Sequence, residues 1–311
     1  MKPISHRCQF VLCSLLFAGL IARTARADWQ RDETSLAWRD GTNTVWRFSF
    51  DPKKGKTFFD PVAVRGTTFT NFKPEDHPWH YGLWFSWKYI NHANYWEEDR
   101  ATGKAEGATR WITPEIETKP DGSAAIKLAL SYTHPSGRVD LMERRDLNIS
   151  APKADGSYTI DWQSSFKAGK EGAELDRTPM PGEPKGAVNG GYAGLGLRMA
   201  APPLTFSVLC STGVVDRFVN ERARPFASAL ACNFTKDNHD LGGIAIFNDP
   251  SNVGDNAWYV VDSKQMRFAC AAILAPKIVT LKPGEDMKLH YRIALSPKAW
   301  TVEALRAGLK E

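Results

Sequence analysis

The sequence predicts an all-β protein, a large antiparallel two-sheet β-sandwich with a short C-terminal helix. Many segments alternate apolar and polar residues, as Leu128–Tyr132 and Leu289–Ile293 do, which is the period of a strand with one buried face. Turn-forming pairs such as Asp121-Gly122 and Pro283-Gly284 separate these segments. A helical period is found only near the C-terminus, and many antiparallel strands with little helix favour a sandwich or a barrel.

The predicted strands follow the apolar and β-branched segments in chain order. They are Val45–Phe50, Thr57–Val64, Leu83–Lys88, Ala124–Thr133, Val139–Ile149, Tyr158–Phe166, Leu195–Ala200, Thr205–Cys210, Gly243–Phe247, Ala257–Val261, Phe268–Ile273, Val279–Leu281 and Met287–Leu295. The helix is predicted at Thr301–Lys310, where the Thr301 hydroxyl can cap the first turn.

The first 27 residues have the features of an export signal. Lys2 and Arg7 precede an apolar run, and Ala25-Arg26-Ala27 offers small residues to a signal peptidase, which predicts cleavage before Asp28. The run is shorter than the roughly 20 residues that span a membrane, and no later segment is apolar enough to span one. We therefore expect a periplasmic or secreted protein without a membrane span, in which residues 28–311 form one domain.

The composition narrows the class of function. The chain has 40 Lys and Arg against 35 Asp and Glu, but the leader holds four of the basic residues and no acid. A near-neutral balance predicts no nucleic-acid partner. The sequence has no Gly-x-Ser-x-Gly elbow, phosphate-binding glycine loop or dinucleotide fingerprint, which disfavours esterase, kinase and nicotinamide chemistry. Cys210, Cys232 and Cys270 follow the leader and permit one disulfide without indicating which pair would form it.

A histidine cluster is the strongest functional signal. His77 and His80 stand three residues apart beside Asp76, in a segment whose Pro78 and Gly82 argue against a helix. One interpretation is acid–base catalysis, with Asp76 fixing the tautomer of one imidazole. A second is a divalent metal bound by His77 and His80 with a carboxylate as third ligand. A third is structural, with one histidine closing a turn and the other packed against a tryptophan.

Aromatic and charged residues follow the histidines closely. Four of the eleven tryptophans fall within residues 79–96, and clustered aromatic rings near charges suit a sugar-binding cleft. Trp79, flanked by Pro and His, is the best candidate to stack on a sugar, whereas Trp84 and Trp96 are equally compatible with a core. Glu97 and Glu98 point to opposite faces if the segment is extended, so we expect Glu97 in the site and Glu98 in a surface ion pair.

Further site candidates lie beyond a long segment rich in Gly and Pro. Residues 168–191 show no periodicity and are predicted to form a lid, because loops longer than about 12–15 residues in compact domains are usually functional or disordered. Tyr192 stands at its end and offers a hydroxyl. Arg198 could bind a carboxylate or an oxyanion, or could be an exposed strand residue. His239 is expected at the surface, and His290 is expected to be satisfied within the sheet.

The segment from Asp76 to Asn91, followed by Asn94-Tyr95-Trp96-Glu97-Glu98-Asp99, resembles the exported bacterial family labelled "methane oxygenase PmoA-like". The resemblance extends over nearly all of the chain after the leader. It implies functional roles at positions that include Asn91 and Trp96, a supersandwich-like fold and a role in polysaccharide degradation. The chain departs from that family at Trp79, where many relatives have a third histidine, so a three-histidine metal site would be incomplete here.

These observations predict an exported lyase, epimerase or hydrolase that acts on a sugar or an oxidised sugar without a cofactor. Catalysis is predicted at His77, His80, Asp76 and Glu97. Substrate binding is predicted at Trp79, Asn91, Trp96, Tyr192 and Arg198. One alternative is a metal-dependent enzyme, such as the oxygenase that the family label suggests. The other is a glycan-binding module without catalysis. The partner expected in each case is a small sugar or an oligosaccharide.

Overall fold

A computed structural model describes residues 27–310, so the predicted leader lies almost wholly outside the described residues. The first twelve strands are β1 (Asp28–Arg31), β2 (Ser35–Asp40), β3 (Asn43–Ser49), β4 (Phe58–Val64), β5 (Thr67–Thr68), β6 (Leu83–Ser86), β7 (Tyr89–Ile90), β8 (Ala93–Asn94), β9 (Ala108–Trp111), β10 (Glu115–Thr118), β11 (Ala124–Thr133) and β12 (Val139–Ile149). A single 3₁₀ turn, Pro52–Lys54, precedes β4.

The second half of the described chain continues the antiparallel pattern. Its strands are β13 (Tyr158–Ala168), β14 (Ala173–Asp176), β15 (Gly194–Arg198), β16 (Thr205–Cys210), β17 (Gly213–Val214), β18 (Arg222–Ala223), β19 (Ala229–Lys236), β20 (His239–Asn248), β21 (Trp258–Asp262), β22 (Arg267–Ala271), β23 (Val279–Leu281) and β24 (Asp286–Ser296). The helix α1 (Val302–Gly308) ends it, and the Thr301 hydroxyl accepts a hydrogen bond from the amide of Ala304 at 3.1 Å, as predicted for its cap.

Two ten-stranded sheets form the sandwich that the sequence predicts. The first has the order β1-β2-β3-β4-β6-β15-β22-β21-β18, with β5 paired to β4. The second has the order β10-β11-β12-β13-β24-β20-β19-β16-β17, with β9 paired to β11. A small third sheet, β23-β14-β7-β8, lies beside them. The all-β prediction with a short C-terminal helix is confirmed, and the third sheet is an addition to the two expected.

Aromatic residues join the two large sheets. The rings of Phe59 and Trp162 are 6.1 Å apart between centroids, and those of Phe85 and Phe166 are 5.6 Å apart. Each pair joins a strand of one sheet to β13 of the other. Burial of such large rings is the main favourable contribution to sandwich stability, because it removes the most apolar area per residue from water.

The first sheet is buried on both faces where the functional site lies. In β6, Leu83 and Phe85 belong to the core between the sheets, whereas Trp84 belongs to a second apolar cluster on the opposite face. Alternate residues of a strand point to opposite faces, so a fully apolar strand needs a cover on each side. The loop that carries the two histidines supplies part of that cover.

The sequence did not predict strand β19. Strand β19 begins Ala-Leu-Ala-Cys and is buried on both faces, so it lacks the alternation on which the prediction relied. The prediction that residues 168–191 contain no strand is also wrong, because the segment includes β14, which pairs with β7 and β23.

Candidate active site

The histidine loop is held in place by its own backbone. The amide of His77 donates to the carbonyl of Pro74 at 3.1 Å, and the amide of His80 donates to the carbonyl of His77 at 3.0 Å. Gly82, with φ of +67°, returns the chain to β6, and a Cβ there would stand 2.6 Å from the carbonyl oxygen of Phe59. These tight turns place both imidazoles over the outer face of the first sheet.

His77 belongs to a chain of polar contacts that ends in a buried arginine. Its Nδ1 lies 2.8 Å from Asp76 Oδ2, and Arg198 Nη2 donates to both oxygens of Asp76 at 2.8 Å. Burial raises the pKa of Asp76, but the hydrogen bonds and charges of Arg198 and His77 outweigh this effect and the pKa lies below its usual value. An ionised Asp76 makes Nδ1 the protonated nitrogen of a neutral His77 and leaves Nε2 as the acceptor.

His80 has a different environment. It is only 3% exposed, and its ring stacks on His77 and on Phe268, with centroids 4.8 Å away in each case. Burial, followed by the charges of His77 and Arg198, lowers the pKa of His80 well below its usual value. His80 therefore stays neutral, and its Nδ1 has no hydrogen-bond partner within residues 27–310.

Glu97 reaches the site because Asn94 bends the chain. The side-chain oxygen of Asn94 accepts hydrogen bonds from the amides of Trp96 at 2.9 Å and Glu97 at 3.2 Å. The turn directs Glu97 toward the site. Glu98 is buried on the other side with Lys56 at 2.6 Å, so the expected surface ion pair is wrong: the chain covers this carboxylate, and a buried ammonium compensates its charge.

Three side chains hold the carboxylate of Glu97 and leave it room for one more donor. Tyr192 donates to Oε1, Lys88 contacts Oε2, and Asn94 donates to Oε2 at 2.8 Å. Burial raises the pKa of Glu97, but Lys88 and the two donors outweigh this and the pKa lies below its usual value. Burial and the charge of Glu97 raise the pKa of Tyr192 far above its usual value, so the phenol keeps its proton. Glu97 is therefore a fixed anionic acceptor.

These side chains meet around one cavity of about 230 Å³. One side is formed by predicted residues: His77, Trp79, His80, Trp96, Glu97 and Tyr192. The other side comes from distant segments, with Tyr259 on β21, Phe268 on β22 and Arg222 on β18. Val188, Asn189 and Met266 complete the lining, so the segment 168–191, predicted as a lid, borders the site.

Two predicted residues stand behind the cavity and one stands elsewhere. Asp76 and Arg198 support His77 rather than line the cavity. Asn91 is the turn between β7 and β8: its side-chain oxygen accepts from the amide of Glu174 at 2.8 Å, and its φ is +47°. The structure therefore places Asn91 in the support of the small sheet, away from the predicted binding site.

The local sequence does not indicate four of the lining residues, Arg222, Tyr259, Met266 and Phe268, nor Lys88, which contacts Glu97. Lys88 ends a predicted strand, and Tyr259 and Phe268 read as ordinary core residues of strands. Arg222 lies in Val219-Asn220-Glu221-Arg222, whose Asn gives only a turn signal. Nothing in the local sequence links these segments to the histidines.

The described residues hold no group of three or more His, Cys, Asp or Glu side chains placed to bind a metal ion. Cys210, Cys232 and Cys270 are free and buried. No helix within residues 27–310 is long and apolar enough to cross a membrane.

Comparison with protein families gives a match over residues 35–310 to DUF6807, described as a family of unknown function. The chain belongs to the DUF6807 family. The resemblance to a methane oxygenase PmoA-like family is thus wrong, because the family that matches almost the whole chain is a different one and carries no assigned activity. Comparison with curated proteins gave no match.

Solved structures with a similar backbone fold include three whose descriptions refer to an α-galactosidase, an aldose 1-epimerase or a galactose mutarotase. An α-galactosidase from Lactobacillus brevis has 9% identity and a TM-score of 0.45, with 89% of this chain and 40% of that chain covered. A protein from Klebsiella pneumoniae proposed to be an aldose 1-epimerase has 9% identity and a TM-score of 0.46, with 89% and 83% covered. A galactose mutarotase related enzyme from Lactobacillus acidophilus has 8% identity and a TM-score of 0.42, with 88% and 98% covered.

The chain thus spans less than half the length of the α-galactosidase. At these identities and TM-scores the similarities carry no argument about activity, and the fold class rests on the sheets of the DUF6807 chain itself.

Proposed function

We propose that this DUF6807 protein is an exported enzyme that binds a sugar and moves protons on it, with His77 as the acid–base group. The observation that supports this is the arrangement Arg198–Asp76–His77 at the edge of an aromatic cavity. An ionised carboxylate that fixes an imidazole tautomer and stabilises its protonated form is a recurrent device for proton transfer.

The lining of the cavity favours a sugar as ligand. Trp79 and Trp96 offer ring faces and edges, and Glu97 offers a fixed anionic acceptor for a hydroxyl group. A cavity of about 230 Å³ is smaller than the roughly 300–1,000 Å³ typical of drug-sized ligands, which favours one sugar ring over a long oligosaccharide.

The charges of the site favour an epimerase, mutarotase or lyase reaction over hydrolysis. Hydrolysis of a glycoside by the usual route needs two carboxyl groups on either side of the scissile bond. Of the described residues that line the cavity, Glu97 is the only acid. Asp76 turns its oxygens to His77 and Arg198. One imidazole and one anionic acceptor suit proton transfer on a bound sugar.

The two histidines have different roles in this proposal. His77 exchanges protons through Nε2, because Nδ1 is committed to Asp76. His80 remains neutral. Its ring stacks on both His77 and Phe268 and so separates His77 from the apolar cluster around Phe268. We further propose that the reaction needs no bound cofactor and that it takes place outside the cytoplasm, as the leader predicts.

The first prediction concerns His77. Anomer interconversion followed by polarimetry, and loss of C–H signals in D₂O followed by NMR, are measured on a panel of aldoses, uronic acids and their disaccharides. We expect His77→Ala to lower the rate on the order of a hundredfold or more, because general acid–base catalysis contributes about 10²–10⁴. Dialysis of the wild-type protein against a chelator is expected to leave the rate unchanged.

His239→Ala serves as the matched control, because His239 is exposed at the start of β20. A folded His77→Ala variant with full turnover contradicts the proposed role. Binding of a sugar without turnover in the wild-type protein would instead indicate a glycan-binding module.

A further inference from the structure

The fixed charges at the cavity do not balance within the protein. Glu97 is paired with Lys88, and Asp76 is paired with Arg198. His80 is buried as a neutral ring. Arg222 is the cation among the described lining residues, and its nearest carboxylate, Glu221, is 3.9 Å away and largely exposed. A ligand in the cavity therefore meets one cation that no buried acid neutralises.

The position of Arg222 is set by a tight hairpin. The amide of Val219 donates to the carbonyl of Arg222 at 2.8 Å, and the amide of Arg222 donates back at 3.1 Å. Asn220 and Glu221 between them have φ of +50° and +63°. Two-residue hairpin turns of this kind require a positive φ at both central residues, so this turn fixes where the side chain of Arg222 leaves the backbone.

The guanidinium of Arg222 is held by two of its three nitrogens. Nε donates to the Tyr259 hydroxyl at 3.2 Å, and Nη1 donates to the carbonyl of Asn220. Nη2 makes no hydrogen bond to the described residues, although Arg222 lines the cavity with a side chain that is 21% exposed. A guanidinium locked in this way loses little entropy when its last donor binds an anion.

We propose that the ligand carries a carboxylate and that Arg222 binds it, so that the substrate class is an acidic sugar of the uronic acid type. This inference rests on the proposed function and names its substrate. A carboxylate suits the site better than a phosphate, because Arg222 is the only Lys or Arg among the described lining residues, whereas phosphate sites gather several backbone amides or cations.

The test is a binding comparison of matched sugars. The quenching of tryptophan fluorescence, to which Trp79 and Trp96 contribute, is titrated with glucose and glucuronate, galactose and galacturonate, mannose and mannuronate, and glucose 6-phosphate. We expect at least one uronate to bind about tenfold or more tightly than its neutral partner, as a charge-assisted hydrogen bond allows. Arg222→Gln is expected to lower the affinity for the uronate about tenfold or more and so to remove this preference.

Arg217→Gln is the matched control, because it removes the same charge from an exposed position outside the cavity. A uronate preference that survives in Arg222→Gln, or tighter binding of the neutral sugar or the phosphate, overturns the inference while the proposed sugar site stands. A wild-type protein that binds no member of the panel contradicts both the inference and the proposed function.

Discussion

At the scale of single residues, burial separates two histidines that are three positions apart. His77 has a side chain that is 32% exposed and is fixed by an ionised carboxylate, whereas His80 is covered by aromatic rings. Removal from water disfavours the charged imidazole, so the pKa of His80 is lowered. The sequence predicted both histidines as a functional pair. Only the packing of the folded chain distinguishes the partly exposed His77 from the buried His80.

A prediction at this scale concerns Asp76, which acts through His77. Asp76→Asn keeps the size of the side chain but removes the charge that fixes the His77 tautomer. We expect kcat to fall on the order of a hundredfold or more, with KM changed by less than about threefold. Steady-state kinetics on the substrate found by the panel measures both constants.

Glu75→Gln is the control for this change, since it removes one charge from the exposed neighbouring position. Asp76→Asn also leaves the buried Arg198 without its carboxylate, so the assay is run below the melting temperature of the variant. A change in KM alone would indicate that Asp76 shapes the cavity without orienting His77.

At the scale of elements, short hydrogen-bonded turns decide which side chains reach the cavity. Asn94 bends the segment after β8, so that Glu97 pairs with Lys88 at the cavity and Glu98 forms a buried ion pair with Lys56. The hairpin Val219–Arg222 likewise places Arg222 at the cavity. Strand alternation alone predicts the divergence of Glu97 and Glu98 correctly, but it cannot predict that both sides of the segment are covered.

The prediction at this scale concerns the strands β13 and β24. His290 lies 2.7 Å from Asp161 on β13 and 3.2 Å from Asp249 in the turn after β20. Burial lowers the pKa of His290, but the two carboxylates outweigh this and the pKa lies above its usual value of 6.5. Because the folded pKa is raised, this contribution to stability is fully present below about pH 6.5 and is lost as the pH rises through the folded value.

We expect His290→Gln to lower the melting temperature at about pH 5.5 and to have a smaller effect at about pH 8.5. Thermal unfolding followed by circular dichroism at the two pH values measures this. His239→Ala, at an exposed position on β20, should show no such difference. An equal loss at both pH values would indicate that His290 contributes by packing and not by its charge.

At the scale of the whole molecule, a buried charged network joins the two large sheets. Arg145 on β12 donates to Glu143 through Nε at 2.6 Å and through Nη2 at 2.8 Å, and Nη1 reaches Thr57 beside β4 at 2.7 Å. Tyr132 and Ser164 donate to the remaining positions of Glu143 at 2.6 and 2.7 Å. The network is satisfied throughout, which is the condition under which buried charges are tolerated.

We expect Arg145→Met to lower the free energy of unfolding by about 3–5 kcal/mol, because it leaves Glu143 buried and uncompensated. The double variant Glu143→Gln/Arg145→Met should lose less, since Gln can still accept from Tyr132 and Ser164. Denaturant unfolding measures both. Arg144→Met, which faces solvent on the same strand, is expected to change stability by less than about 0.5 kcal/mol.

The sequence by itself determined the fold class, many of the strands and one side of the site. Alternation along β11, β12 and β24 is a local property, and so is the density of His, Trp and Glu around residues 76–97. Strands buried on both faces, such as β19, lost that signal because both sets of side chains are apolar.

Only the tertiary structure decided what faces the histidines. Phe268, Tyr259 and Arg222 reach the cavity because β22, β21 and β18 follow β15 in succession in the first sheet. That order of strands depends on pairing between distant segments, which local patterns do not encode. Tertiary structure likewise turned Arg198 from a predicted substrate ligand into the support of Asp76, because burial beside a carboxylate is a property of the packed molecule.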